Sequence, residues 1–324
     1  MGIISDLKSK VLDGENITRD EAISLIDAPI DELADAANEI REKLCANDFD
    51  LCSIVNGKCG KCSEDCKYCA QSAHYKTTCT ESYPLLSTEK IMELAKKNDA
   101  DGIMRYSIVT SGKRLSDDEI DRVCETIKTI KEQTGMSVCA SFGLINKKQL
   151  QKIKNAGVTR IHCNLETSKN YFPQVCTTHT YDEKVETIKA AKSIGLSVCS
   201  GGIMGLGETM EDRIDLALAE RELGVKSVPI NMLNPVKGTP YEDNPVLTYD
   251  ELVRTVAIFR FILPDASLRL AGGRGLLNDK GVRCFKSGAN SSISGNLLTT
   301  IGSTVEEDLK MFSDLGFKVT KVNN

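Results

Sequence analysis

With 324 residues, 41% of them hydrophobic and 27% charged, the chain is long enough for one extended core and ordinary in its polar balance. A formal net charge of -5 leaves no basic footprint for a nucleic-acid partner, and no apolar run reaches the ~18 residues a membrane span needs. Met1-Gly2-Ile3-Ile4-Ser5-Asp6 lacks a signal-peptide pattern and only brushes the myristoylation motif, so a cytoplasmic protein with no membrane partner is expected. Thirteen cysteines are many for that compartment. Disulfides are disfavoured there, so metal binding or plain burial has to explain most of them. So many oxidisable thiols also suit a low-oxygen cytoplasm.

Residues 1–48 read as a helical extension, a lid or brace on the main domain. Thr18 and Glu21 form a capping box, Ala22, Leu25 and Ile26 follow at helical spacing, and Ile30, Leu33, Ala36 and Ile40 make a second apolar stripe. From 49 to 318, short apolar runs alternate with longer helical patterns. Strands are predicted over 50–54, 102–109, 137–141, 160–164, 197–202, 227–231, 266–271 and 291–294. Helices are predicted over 87–98, 116–133, 146–156, 181–194, 209–223, 248–263, 274–286 and 304–316. Ser116 with Glu119, Asn146, and Thr248 with Glu251 are start signals; Gly135, Gly157, Gly195, Gly224 and Gly316 sit where helices stop. Eight such units make the α/β class and a (βα)8 TIM barrel the expected fold, with an open doubly wound sheet as the alternative. Residues 319–324 read as a frayed tail.

The stretch after the first strand carries Cys62, Cys66 and Cys69 in C-x3-C-x2-C spacing. Three thiolates on so tight a loop can converge on one soft metal centre. A closed site takes four protein ligands, and no fourth follows in register; the next candidates are His74 and Cys79. Three ligands would leave one iron of a four-iron cluster open to a substrate or cofactor. A structural zinc knuckle completed by Cys59 or Cys79 is the other reading. In a barrel this loop lies over the mouth, where the C-terminal strand ends put the chemistry.

Further motifs lie at later strand ends. Gly201-Gly202 and Gly205-Leu206-Gly207-Glu208 form a turn whose glycines allow close approach to a flat ligand, or simply a tight strand-to-helix turn. Asn164 and Asn231 are strand-end amides that need partners, either a backbone edge or a urea-like or amide ligand. Cys139, Cys163 and Cys199 fall in the third, fourth and fifth predicted strands, either as small core residues or as a second metal site.

Together with Asn56-Gly57-Lys58, Tyr68-Cys69-Ala70-Gln71-Ser72-Ala73-His74-Tyr75, Ser227-Val228-Pro229-Ile230-Asn231-Met232-Leu233, Gly238-Thr239-Pro240, Arg269-Leu270, Gly272-Gly273-Arg274 and Gly288-Ala289-Asn290-Ser291, these motifs resemble the biotin synthases of the radical S-adenosylmethionine (SAM) superfamily over about residues 45–302. The resemblance implies a four-iron cluster on Cys62, Cys66 and Cys69, its open iron chelated by SAM. It implies SAM contacts from Tyr68, Gly205, Gly207, Glu208 and Glu166, the last standing where the family usually has Asp. It implies that Asn164 and Asn231 hold the ureido ring of dethiobiotin. It also implies an auxiliary iron–sulfur cluster, of two-iron or four-iron type, that gives up sulfur. Cys139, Cys199 and Arg269 match three of that cluster's ligands. The fourth position, in Arg105-Tyr106-Ser107-Ile108, is a serine, and Cys163 stands where the family commonly has histidine. Either Ser107 ligates through oxygen or Cys163 supplies the missing thiolate; the expectation here is Cys163.

Cys59, Cys79 and Cys176 flank the site and would assist in cluster assembly, while Cys45, Cys52, Cys124 and Cys284 are expected to pack, and His74, His162 and His179 to be satisfied surface or core residues. The activity implied is SAM-dependent radical insertion of sulfur into dethiobiotin to give biotin, fed by a flavodoxin- or ferredoxin-type electron donor, in a homodimer, with the barrel mouth closed by the cysteine loop, the N-terminal helices and the Asn290 region. The alternatives are another radical SAM barrel, of methylornithine synthase or hydrogenase-maturation type, and a non-catalytic iron–sulfur carrier. A first discriminating measurement is metal content: anaerobically purified protein is expected to be brown, with more than one iron–sulfur cluster per chain, whereas zinc without sulfide would favour the knuckle.

Overall fold

The computed structural model describes residues 2–77, 81–295 and 303–320. Helices α1 (Ile3–Leu12), α2 (Arg19–Ile23) and α3 (Ile30–Cys45) precede β1 (Asp48–Lys58). There follow α4 (Thr88–Ala100), β2 (Arg105–Thr110), α5 (Asp117–Gln133), β3 (Ser137–Ser141), α6 (Lys147–Ala156), β4 (Val158–His162), α7 (Phe172–Val175), α8 (Tyr181–Ser193), β5 (Ser197–Cys199) and β6 (Gly202–Met204). The last part holds α9 (Met210–Glu222), β7 (Ser227–Met232), α10 (Tyr249–Ile262), β8 (Ser267–Leu270), α11 (Val282–Phe285), β9 (Ser291–Ile293), α12 (Val305–Asp314) and β10 (Lys318–Val319).

All strand pairings are parallel, and β9 returns to pair with β1, so the sheet closes into a barrel. β5 and β6 are two pieces of one barrel strand, both leaning on β7 and separated by Ser200 and Gly201. Counted this way the barrel has eight parallel strands, which is the expected (βα)8 fold. Local sequence explains the helix starts: Thr18, Ser116, Asn146, Thr180, Thr209, Thr248 and Thr304 each accept from a backbone N–H in the first turn and close a capping box.

Four expectations need correction. The helix expected over 274–286 is a 3-10 turn at Arg274–Leu276 and the short α11, because Lys280 and Gly281 both adopt positive φ and break the run. The N-terminal helices brace the barrel's flank and do not cover its mouth: α3 packs on α10 and α2 on α9, with Arg19 paired to Asp215 and Glu211. Asn290 is likewise no part of the mouth; it is buried before β9, where its Oδ1 accepts from Leu268 N and the Arg260 guanidinium. The start of the expected tail is ordered, since Lys318 and Val319 pair with Asp48 and Phe49; residues 321–324 lie outside the described residues.

The barrel interior is polar at its base. Asp50 on β1 is fully buried, and Arg269, Arg160 and Arg105 converge on it, with N···O distances of 2.6, 3.1 and 3.4 Å. Burial alone would raise the Asp50 carboxyl, but Arg269, Arg105 and Arg160 hold it down to about 2. Removing one member of such a buried set leaves uncompensated charge, so Asp50→Asn should destabilise the chain by ~3–5 kcal/mol in anaerobic urea unfolding. The sign of the pH effect follows from the depressed pKa. The carboxylate's contribution is complete above its unfolded value near 4 and is lost as pH falls through about 2. Asp50→Asn should therefore flatten the stability loss between those pH values.

Candidate active site

Past Lys58, Gly60 and Lys61 turn the chain through left-handed conformations (φ 73° and 50°) into the three-cysteine loop. The loop closes on itself: Cys62 N donates to Gln71 O (2.9 Å), Ala73 N to Cys62 O (2.8 Å) and Cys69 N to Cys66 O (2.9 Å). The Gln71 side chain accepts from Gly60 N at 3.0 Å and ties the loop's two ends together. Cys62, Cys66 and Cys69 are half-buried and line one face of a cavity of about 440 Å³. Burial pushes the Cys62 thiol up and Cys69 up to about 11. Metal binding would supply the driving force to deprotonate them.

The same cavity is also lined, within the barrel strands, by Cys52, Ser107, Cys139, His162, Cys199 and Arg269. Strand register puts Ser107 beside Cys139 and His162 beside Cys199. Arg105 Nη1 lies 3.9 Å from Cys139 Sγ, and the Ser227 hydroxyl donates to Cys199 Sγ at 3.3 Å. Cys199 feels burial, which raises it, but His162, Arg269 and Arg160 bring it down to about 6. The charge pattern suits an anionic guest: three guanidinium groups share one carboxylate here, which leaves a positive surplus under the thiols.

Cys163 lines the same cavity, among other neighbours. Side chains alternate along a strand, so Arg160 and His162 face the barrel interior and Cys163 is out of phase with them. Its ionic neighbours are Lys184, Glu166 and Glu220, and burial pushes it up to about 11. Cys52, expected to pack, faces inward two residues on from Asp50, and its electrostatic neighbours include Arg269, Cys139 and Cys199. That i, i+2 relation was the only signal in the sequence, and it is readable only once Asp50 is known to point inward.

The residues expected to contact SAM or substrate divide into two groups. Tyr68, Asn164, Glu166 and Asn231 line the cavity. Tyr68 packs against the Val175, Leu206, Leu233 and Tyr241 cluster, with its hydroxyl toward the Glu166 carboxylate. Asn164 Nδ2 donates to Glu166 Oε2 at 3.3 Å, while its buried Oδ1 has no hydrogen-bond partner among the described residues. An orphaned acceptor in a cavity wall fits a ligand N–H or O–H. Asn231 is satisfied by backbone, donating to Gly202 O (2.9 Å) and accepting from Gly272 N (2.8 Å), so it follows the backbone-edge alternative. Gly205, Gly207 and Glu208 are not in the cavity wall. They shape the turn behind it, where Glu208 Oε1 accepts from Gly205 N (2.9 Å) and Arg213 Nε (2.6 Å).

Lys184 was missed in the sequence. It is a buried ammonium in the cavity wall, 3.5 Å from Glu166 Oε1, on a helical face that reads as ordinary core. Among the remaining cysteines, Cys59 is held in a backbone bridge with Tyr83, Cys45 accepts from Arg260 at 3.2 Å, and Cys124 and Cys284 are core. Cys79 lies outside the described residues. His74 Nε2 meets Ser63 O at 3.0 Å on the surface.

Gly201 and Gly202 are required by protein packing. A Cβ on Gly202 would lie 2.4 Å from Glu166 O, and one on Gly201 2.1 Å from Pro229 O. Gly202→Ala should therefore force Glu166 and Asn164 from the wall and cost ~1–3 kcal/mol, read by denaturant unfolding. Weaker SAM binding, measured by equilibrium dialysis, should accompany it.

Comparison with known proteins bears on the use of this cavity. Residues 58–219 match the radical SAM superfamily and residues 229–318 the biotin and thiamin synthesis associated domain. The chain is 56% identical over 319 residues to a biotin synthase of Akkermansia muciniphila, covering 98% of this chain and 99% of the relative. It is 54% identical to that of Brachyspira hyodysenteriae, covering 98% and 95%. Among solved structures, a methylornithine synthase superposes with a TM-score of 0.84 at 19% identity, over 97% of each chain. An [FeFe]-hydrogenase maturase superposes at 0.84 with 15% identity, over 99% of this chain and 76% of that one. At such identities these two share the fold. Both domains in order, with full-length identity above one half to the curated relatives, show that the chain belongs to the biotin synthase family of radical SAM enzymes.

Proposed function

We propose that the chain converts dethiobiotin to biotin by SAM-dependent radical sulfur insertion, with Cys62, Cys66 and Cys69 as ligands of the four-iron cluster and a second iron–sulfur group in the barrel as sulfur source. One observation carries the reading: a single cavity is lined both by the three-cysteine loop and by Cys52, Cys139, Cys199 and Arg269. When bound, the cofactors supply a 5′-deoxyadenosyl radical and the sulfur atom.

The chain's own residues then have defined tasks. Lys184 offers a buried positive charge to a ligand carboxylate, and Glu166 an acceptor to ribose hydroxyls. Tyr68 gives an apolar face near the three-cysteine loop. Asn164 Oδ1 accepts from a ureido N–H, and Asn231, already fixed by backbone, holds the facing wall rigid. Gly205, Gly207 and Glu208 position that wall from behind.

For the second group we assign Cys52, Cys139 and Cys199 as the thiolates, with Arg269 beside them. Three thiolates suit a four-iron type with one open iron, by the logic of the outer triplet; a two-iron type would draw on Ser107. This moves the missing thiolate from Cys163 to Cys52, supported by strand phase and by the neighbours of each thiol. A flavodoxin- or ferredoxin-type donor, a homodimer and a cytoplasmic setting belong to the same reading and rest on the family resemblance.

The activity is tested by anaerobic incubation of reconstituted, reduced protein with SAM and dethiobiotin. 5′-Deoxyadenosine and biotin are expected; neither product from protein with intact clusters would overturn the assignment. The ligand set is tested by iron and sulfide analysis with Mössbauer spectra. Cys52→Ala should lose the second group's iron while Cys163→Ala keeps it, and the reverse result would return the ligand to Cys163.

A further inference from the structure

The segment carrying Cys66 is stitched to residues 175–179, more than a hundred positions along the chain. Lys67 N donates to Val175 O at 3.0 Å. Asp65 Oδ1 accepts from Thr177 N (2.8 Å), Thr178 N (3.2 Å) and the Thr178 hydroxyl (3.1 Å), and its Oδ2 from the Thr177 hydroxyl. These bonds fix three side chains around one point, with Glu64 against the third. Cys176 Sγ stands 3.7 Å from Cys66 Sγ and 3.3 Å from His179 Nδ1, which is 2.7 Å from Glu64 Oε2. The ligand atoms of Cys66, Cys176 and His179 all lie within 4.8 Å of one another, the only such triad among the described residues. Cys176, His179 and Glu64 are 3%, 8% and 6% exposed, and none has a task in the reaction above.

The spacing has a specific meaning. A tetrahedral ion with bonds of ~2.3 Å to sulfur and ~2.0 Å to nitrogen sets its sulfurs ~3.8 Å apart and sulfur and nitrogen ~3.5 Å apart. The observed 3.7 and 3.3 Å agree. A four-iron cluster puts each thiolate on its own iron and so holds them further apart. Two thiolates and an imidazole suit a borderline-soft divalent ion and not magnesium or calcium.

We propose that Cys66, Cys176 and His179 hold one thiophilic divalent transition-metal ion in the chain that lacks its four-iron cluster, with solvent completing the fourth position. Binding displaces the thiol protons of Cys66 and Cys176 to solvent and involves no electron transfer. Cys66 is common to this site and to the outer triplet, so the ion and the cluster exclude each other. The site therefore guards or preloads Cys66 before cluster assembly and is dismantled when Cys66 joins the triplet. This last step rests on the cluster reading; the ion site itself does not.

The test titrates full-length, cluster-free protein with Co2+ under anaerobic conditions, following bound cobalt and thiolate-to-cobalt charge-transfer absorption. Wild type should bind one more equivalent than Cys176→Ser, and His179→Gln should weaken that equivalent at least ~10-fold, the loss that removing even an outer partner brings. Equal stoichiometry and spectra in wild type and both variants would overturn the proposal. After reconstitution with iron and sulfide, Cys176→Ser should take up as much iron as wild type; a loss there would make Cys176 a cluster ligand or a folding requirement and overturn it as well. Failure of biotin formation would leave the cobalt count unmoved, so the two readings fail separately.

Discussion

Four strands meet at Asp50. β1 supplies the carboxylate, and β2, β4 and β8 supply Arg105, Arg160 and Arg269. The Arg269 guanidinium also donates to Asp50 O (3.0 Å) and Ser292 O (2.9 Å), so side-chain charge and strand pairing lock each other. A hydrophobic floor of the same volume would be about as stable, because desolvation offsets most of what buried ion pairs return. Stability alone therefore gives no reason for three guanidiniums. An anionic guest above them does, since thiolates and sulfide need countercharge in a place that water does not reach.

The same floor sets the direction of the site. With Arg105, Arg160 and Arg269 occupying the base, the free depth of the barrel runs upward to the three-cysteine loop. The inner thiols and the outer thiols thus line one space. Asn164, Glu166 and Lys184 are placed along the wall between them. The proposed chemistry calls for such a passage, with polar groups only where the ligand is polar.

The segment 175–179 shows a second use of local fixing. Asp65 lies inside the cysteine loop yet spends its hydrogen bonds on Thr177 and Thr178. The loop is thereby tied to the strand-4 side of the mouth by the chain's own hydrogen bonds. Cys66 Sγ, His179 Nδ1 and Thr178 Oγ1 gather around Cys176 Sγ at 3.7, 3.3 and 3.5 Å. The cysteine chemistry of this chain is not confined to the two sets that the family resemblance names.

The barrel, most helix starts and the outer triplet are legible in the amino-acid order alone. Those features are local: caps are written in four residues, a C-x3-C-x2-C loop in eight, and the alternation of apolar runs in segments of five to fifteen. Which thiols are neighbours is visible only in the folded chain. Strand phase put Cys52 with Cys139 and Cys199 and left Cys163 out of phase, and a single-residue offset of that kind cannot be read where a strand is buried on both faces and shows no polar alternation. Folding also settled that Gly201 and Gly202 serve packing against Pro229 and Glu166, that the glycine turn stands behind the wall, and that Cys176 and His179 reach Cys66. These relations join residues far apart in the chain, and only closure of the barrel brings them within ångströms.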